Sequence, residues 1–143
     1  MTASARLKLR AEDAGDLAVI STCLEDAVFA VGEMAFEPAD NRFAAIVVRR
    51  CREAAGGPAG QAKAAIHFDD VQAVRLRGID RAEPARLLRL AGMFAEPGRA
   101  ATVVRLLFQD GGEVWIETGH LSCLFQDLEE PRQASPGERE RET

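Results

Sequence analysis

The stretch that decides the fold is residues 101–118, which read ATVVRLLFQDGGEVWIET. Large apolar residues alternate with other residues on both sides of the glycines, which is typical of two half-buried strands joined as a hairpin. A three-residue loop, Asp110–Gly112, closes this hairpin in the register that sets Phe108 opposite Val114. The glycines supply the left-handed residue that such a loop requires.

The same register sets Arg105 opposite Glu117 and leaves Leu107 and Trp115 together on the outer face. A second apolar face of this kind needs a cover, and the following segment, 120–128, is predicted to supply it as a helix. Apolar residues recur there at helical spacing, namely Leu121, Leu124, Phe125 and Leu128.

The whole chain is predicted to be a single α+β domain over residues 5–129, followed by a disordered charged tail at 130–143. Helices are predicted at 14–26, 84–92 and 120–128, and the segments between them indicate about six strands. Because short turns join consecutive strands, the sheet is predicted to be antiparallel. The alternative is a strongly curved sheet with a C-terminal helix, as in pleckstrin-homology-like folds.

Charge and composition argue against two classes of partner. The chain has 23 acidic and 18 basic residues, and its net charge of −5 argues against nucleic-acid binding. No apolar run approaches the roughly 18–20 residues that a membrane-spanning helix needs, and the first residues lack the apolar stretch of a secretory signal.

Cys23, Cys51 and Cys123 are odd in number and widely spaced, which indicates a cytoplasmic protein. No cofactor is expected.

Five segments together resemble one family. They read LKLRAEDAGDLAVIS, VGEMAFEP, FDDVQAVRLRGIDR, FQDGGEVWIE and LFQDLEEP. In this order they resemble the bacterial family called domain of unknown function 2948 (DUF2948), over about residues 5–131. The resemblance implies a small cytoplasmic protein without an established activity, and it carries over no catalytic residue.

The best candidate for a ligand site is a cluster of arginines. Arg75 and Arg77 project from one face of a predicted strand, and guanidinium groups bind carboxylates and phosphates through paired hydrogen bonds. His67, two residues before Asp69, is a further candidate ligand-binding residue. The arginines can instead pair with acidic side chains of the same chain. One histidine with its neighbouring carboxylates offers too few ligands for zinc, so no metal site is predicted.

These patterns favour one function and leave an alternative open. The favoured function is a non-catalytic interaction module, in which Leu107 and Trp115 contact a protein partner or a second copy of the chain. The alternative is a small anion-binding protein or enzyme that uses Arg75, Arg77 and His67. No serine lies in a GxSxG setting, and no catalytic residue is predicted.

Overall fold

The computed structural model describes residues 6–51 and 60–133, and these residues form one antiparallel sheet of ten strands with a single α-helix. In chain order the elements are β1 (Lys8–Ala11), α1 (Ala14–Cys23), β2 (Val28–Glu37), a 3-10 turn (Pro38–Asp40), β3 (Arg42–Cys51), β4 (Gly60–Phe68), β5 (Val71–Arg77), β6 (Leu87–Pro97), β7 (Thr102–Phe108), β8 (Glu113–Thr118), β9 (Cys123–Asp127) and β10 (Arg132–Gln133). Nine strands follow one another in the order β1-β9-β4-β3-β2-β6-β7-β8-β5, and β10 pairs with β4.

The predicted fold class, α+β with about six strands and three helices, is wrong, because the described chain is mostly β. Only the first predicted helix is present, as α1, and it ends at Cys23 rather than at residue 26. Within the predicted helix 84–92, Leu88 and Leu90 are buried while their neighbours on β6 are exposed, which is the period of a strand. The cluster of leucines there fits both the helical and the strand period, and pairing with β2 and β7 selects the strand.

The predicted C-terminal helix at 120–128 is also a strand. Cys123, Phe125 and Asp127 of β9 are buried, whereas Leu124 lies on the opposite face and is only partly buried. The apolar residues that were predicted to form one helical stripe therefore lie on both faces of a strand. The pleckstrin-homology-like alternative fails at the same segment, since the residues predicted as its C-terminal helix form β9. Of the predicted tail, Arg132–Gln133 form β10, and residues 134–143 lie outside the described residues.

The β7–β8 hairpin has the predicted faces in a different register. Leu107 and Trp115 lie on the outer face, but Arg105 is opposite Trp115 rather than Glu117. The Phe108 N–H donates a hydrogen bond to the Gly112 carbonyl, the Gly111 N–H donates to the Phe108 carbonyl, and Gly111 takes the left-handed conformation, with a φ of 99°. The loop is therefore residues 109–111, and the register moves by two residues, which keeps every side chain on its face.

The helix packs against the inner, buried side of the sheet. Asp13 begins α1, and its carboxylate accepts a hydrogen bond of 2.8 Å from the backbone N–H of Asp16. Leu17, Ile20 and Leu24 of α1 join one buried apolar cluster with inward-facing side chains of both halves of the sheet. The sheet therefore curves around a single core. At ten residues, α1 is too short to cross a bilayer, and the described part of the chain has no other α-helix.

The two halves of the sheet meet where β2 pairs with β6, over only three residues, Val28–Ala30. Beyond this point β2 bulges away from β3, and its backbone turns to the segment before β6. There the Val31 N–H donates to the Arg86 carbonyl, and the Gly32 N–H donates to the Pro84 carbonyl at 2.9 Å. This close approach of two backbones requires a residue without a side chain at position 32.

Replacing Gly32 by alanine is expected to lower the free energy of unfolding by about 1–3 kcal/mol, because overpacking forces the backbone to shift. The added Cβ would lie 2.8 Å from the Pro84 Cβ and 3.1 Å from the Pro84 carbonyl oxygen. Urea denaturation followed by circular dichroism measures the change. Gly15→Ala is the matched control, since its Cβ meets only the Asp13 carboxylate, at 3.5 Å. An equal loss of stability in both variants would contradict this explanation.

Candidate functional site

Three neighbouring strands, β5, β8 and β7, present a continuous outer surface with one tryptophan at its centre. We call this surface the tryptophan face. The register sets Arg75 of β5 and Arg105 of β7 on either side of Trp115 in one row. The remaining members of the face are Arg77, Leu107, Glu113 and Glu117.

The ring of Trp115 is held by two arginines and one carboxylate. The guanidinium carbon of Arg105 lies 4.8 Å from the ring centroid, and that of Arg77 lies 5.1 Å from it. The indole Nε1–H donates a hydrogen bond of 2.7 Å to Glu113 Oε1. Cation–π contacts and a hydrogen bond together fix the orientation of a side chain that alternation alone places outward. The two arginines thus cover the Trp115 ring, which was predicted to be covered by a helix at 120–128.

Charges on this face are coupled through Glu113 and Arg105. Arg105 donates to Glu113 Oε1 and to Glu96 Oε1, each at 3.2 Å. Hydrogen bonds from Trp115 and then from Arg105 hold the pKa of Glu113 below its usual value. The two carboxylates in turn raise the pKa of Arg105. Glu113 and Arg105, at the centre of the face, are therefore both charged at every pH at which an exposed glutamate is ionised.

The β5 side of the face is more open. Arg75 reaches Glu117 over 3.5 Å, and its side chain is 73% exposed. Arg77 is also exposed and has the Trp115 ring as its close contact. An exposed ion pair of this length contributes little to stability, so both guanidinium groups keep most of their hydrogen-bonding capacity.

Phe94 of β6 is a further residue of this surface that the sequence did not predict. It lies opposite Arg105 in the β6–β7 pairing and is 54% exposed. The face thus extends over four strands. Sequence reasoning missed Phe94 because the predicted helix ended at residue 92 and the residues after it were not assigned to a strand. The alternation of Phe94, Glu96 and their buried neighbour Met93 was the signal available.

The predicted ligand residues are not gathered at one point. His67 lies on β4, with its Nε2 atom 3.4 Å from Asp69 Oδ2. It lines a shallow cavity of about 220 Å³ together with Glu33 and Glu37, and these carboxylates make the cavity unfavourable for an anion. None of the described cavities combines His67 with Arg75 or Arg77.

The cysteines lie away from this surface. Cys51 and Cys123 are buried, and burial raises the pKa of the Cys123 thiol to about 12, so this group stays protonated at neutral pH. Within the described residues, no group of three or more His, Cys, Asp or Glu side chains is arranged to hold a metal ion.

Comparison with known families gives one match. The model of the family described as "Protein of unknown function (DUF2948)" matches residues 7–138. The chain belongs to this family. No curated protein and no solved structure matches it. In this DUF2948 chain, two of the five segments that carry the family resemblance, residues 68–81 and 108–117, contain β5 and all of β8 but its last residue, and so form most of the tryptophan face.

Proposed function

We propose that this chain is a non-catalytic interaction module that binds a partner protein through the tryptophan face. The observation that carries the proposal is the position of Trp115 between Arg77 and Arg105, with Arg75 exposed beside it. Tryptophan and arginine are the residues that most often dominate the binding energy of protein interfaces. Here they share one face of the sheet.

The fixed geometry of the face supports binding. Trp115 is oriented by two cation–π contacts and by its hydrogen bond to Glu113. A side chain that is already ordered loses little conformational entropy when a partner covers it, so more of the contact energy remains as affinity. Leu107 and Phe94 add apolar area on either side of Arg105.

The charges favour a partner that presents carboxylates. Glu96 and Glu113 are already engaged by Arg105, whereas the exposed Arg75 and Arg77 can form paired hydrogen bonds with carboxylates of another protein. A symmetric dimer would place the same patch on both subunits and bring these arginines towards each other. A heterologous acidic partner is therefore preferred to a second copy of the chain. The odd number and wide spacing of the cysteines support the cytoplasm as the compartment.

Trp115→Ala is expected to weaken partner binding about thirtyfold, the change that corresponds to a hot-spot loss of about 2 kcal/mol. The tagged chain and its variants are purified from the native host, and the proteins retained in stoichiometric amount are identified by mass spectrometry. Isothermal titration calorimetry with the purified partner then gives the dissociation constants. Arg75→Glu is expected to weaken binding, and to weaken it more at low salt than at high salt. The substitution places a negative charge opposite the partner's carboxylates, and low salt screens this repulsion less.

Leu128→Ala is the matched control, since Leu128 is an exposed large apolar residue beyond β9, in the other half of the sheet. It is expected to bind the partner as the unchanged chain does. Equal retention of the partner by Trp115→Ala and by the unchanged chain would contradict the proposal. If sedimentation analysis shows a dimer and Trp115→Ala dissociates it, the partner is a second copy of the chain and not an acidic protein.

A further inference from the structure

A groove opens in the wall of the sheet where β2 and β5 are not joined. β2 pairs with β6 only over Val28–Ala30, and β5 is the last strand of the sheet path and pairs only with β8 among the described strands. At one end of the gap, the Val71 N–H donates a hydrogen bond of 2.8 Å to the Asn41 carbonyl, which ties β5 to the β2–β3 turn. The remaining opening has a volume of about 350 Å³.

The lining of this groove is almost entirely apolar. Eight of its nine lining residues are apolar, and the ninth is Arg81. The lining includes Met34 and Phe36 of β2, Val74 and Leu76 of β5, and the buried Phe43 of β3. Except for Phe43, these side chains are only partly buried, so they present apolar surface that a ligand can cover.

The charge at the groove has one sign. Arg81 is exposed, and no acidic residue contributes to the lining. An apolar pocket with a few placed polar groups is the usual form of a small-molecule site, and a volume of about 350 Å³ falls within the range of such sites. A guanidinium group at the edge of an apolar groove suits a ligand that has a carboxylate at the end of a hydrocarbon chain.

We propose that this groove binds a small amphipathic carboxylate, with its alkyl chain against Met34, Phe36 and Leu76 and its carboxylate at Arg81. Burial of the alkyl chain supplies most of the affinity, since each methylene removed from water adds to the binding free energy. Arg81 supplies the preference for an anion. The groove lies on the inner side of β5, because Val74 and Leu76 alternate with Arg75 and Arg77. The site is thus separate from the tryptophan face, and the two proposals stand independently.

The test is calorimetric titration of the full chain with octanoate, decanoate and 1-decanol, all below their aggregation concentrations. Decanoate is expected to bind in a 1:1 complex, about tenfold or more tightly than octanoate, because two more methylenes are buried. Arg81→Gln is expected to weaken decanoate binding about tenfold while leaving the weaker binding of 1-decanol unchanged. Amide chemical shifts in a ¹⁵N-labelled sample are expected to move at Val74 and Ile79.

Arg89→Gln is the matched control, since Arg89 is an exposed arginine of β6 that does not line the groove. It is expected to bind decanoate as the unchanged chain does. The absence of a saturable heat with decanoate would overturn the proposal, as would equal affinity for decanoate and 1-decanol. Shift changes confined to residues outside the groove would overturn it as well, since they would place the ligand elsewhere. A circular dichroism spectrum identical to that of the unchanged chain shows that Arg81→Gln is folded.

Discussion

Replacing Asp127 by asparagine is expected to lower the free energy of unfolding by about 3–5 kcal/mol, the usual effect of leaving a buried charge without its partner. The Asp127 side chain is 0% exposed, and it forms two hydrogen bonds with Arg49, at 2.7 and 2.8 Å. Urea denaturation followed by circular dichroism measures the change. Since native domains have about 5–15 kcal/mol of stability, this loss is a large fraction of the total.

The size of this effect follows from where the pair lies. Arg49 is on β3 and Asp127 is on β9, with β4 between them, so the pair spans three strands on the inner side of the sheet. Asp127 Oδ2 also accepts the backbone N–H of Leu7 at 2.8 Å, which ties the start of β1 to the same carboxylate. The hydrogen bonds to Asp127 raise the pKa of Arg49. Asparagine removes this contribution, but an arginine side chain is not deprotonated in proteins, so the guanidinium remains charged in the variant.

A double variant distinguishes the loss of stability caused by an unpaired buried charge from the loss caused by a missing contact. Arg49→Met with Asp127→Leu replaces the ion pair by apolar side chains, and such a replacement is often neutral. The double variant is therefore expected to be more stable than Asp127→Asn alone, although the Leu7 N–H loses its acceptor. A loss below about 1 kcal/mol in Asp127→Asn would contradict the argument.

The features predicted correctly from the sequence depend on neighbouring residues. The start of α1 follows from Asp13, whose side chain caps the helix three residues on. The β7–β8 hairpin follows from alternation around two glycines. Its exact register does not, because both registers keep the same apolar residues inside, and the choice between them depends on which residue adopts the left-handed conformation. The positive φ of Gly111 shows that the loop is residues 109–111.

The features predicted wrongly depend on distant residues. β9 has β1 and β4 as its partners, and β6 has β2 and β7. In a run such as LLRLA the helical and strand periods coincide, so only these partners select the strand. Tertiary pairing therefore outweighs local spacing in both segments.

The candidate site was predicted only in part for the same reason. Leu107 and Trp115 share an outer face, as alternation requires, and this much is local. That Arg77 and Arg105 stack on the Trp115 ring depends on the pairing of β8 with β5 and β7, which no spacing within one segment indicates. His67 is placed by β4 in the other half of the sheet, so its proximity in sequence to Arg75 does not become proximity in space.

Phe29→Ala is expected to lower the free energy of unfolding by about 3–5 kcal/mol, which is the usual loss when a buried phenylalanine is truncated. Phe29 is 0% exposed, and it lies on β2 at the short junction with β6, opposite Leu88. Its ring contacts that of Phe108 edge to face, with 5.2 Å between the centroids. The cavity left by alanine would therefore lie between the two halves of the sheet. Urea denaturation measures the loss, and Phe29→Leu, which keeps most of the volume, is expected to lose less.

Phe94→Ala is the control of the same residue type, because Phe94 is 54% exposed on the neighbouring strand. Its loss is expected to stay within about 0.5 kcal/mol, as for surface substitutions in general. Circular dichroism of the strands and fluorescence of Trp115 on β8 are expected to report one unfolding transition in Phe29→Ala, because both halves of the sheet share one core. Two separate transitions would show that the halves fold independently, and the three-residue junction at Val28–Ala30 would then be a contact between two cores.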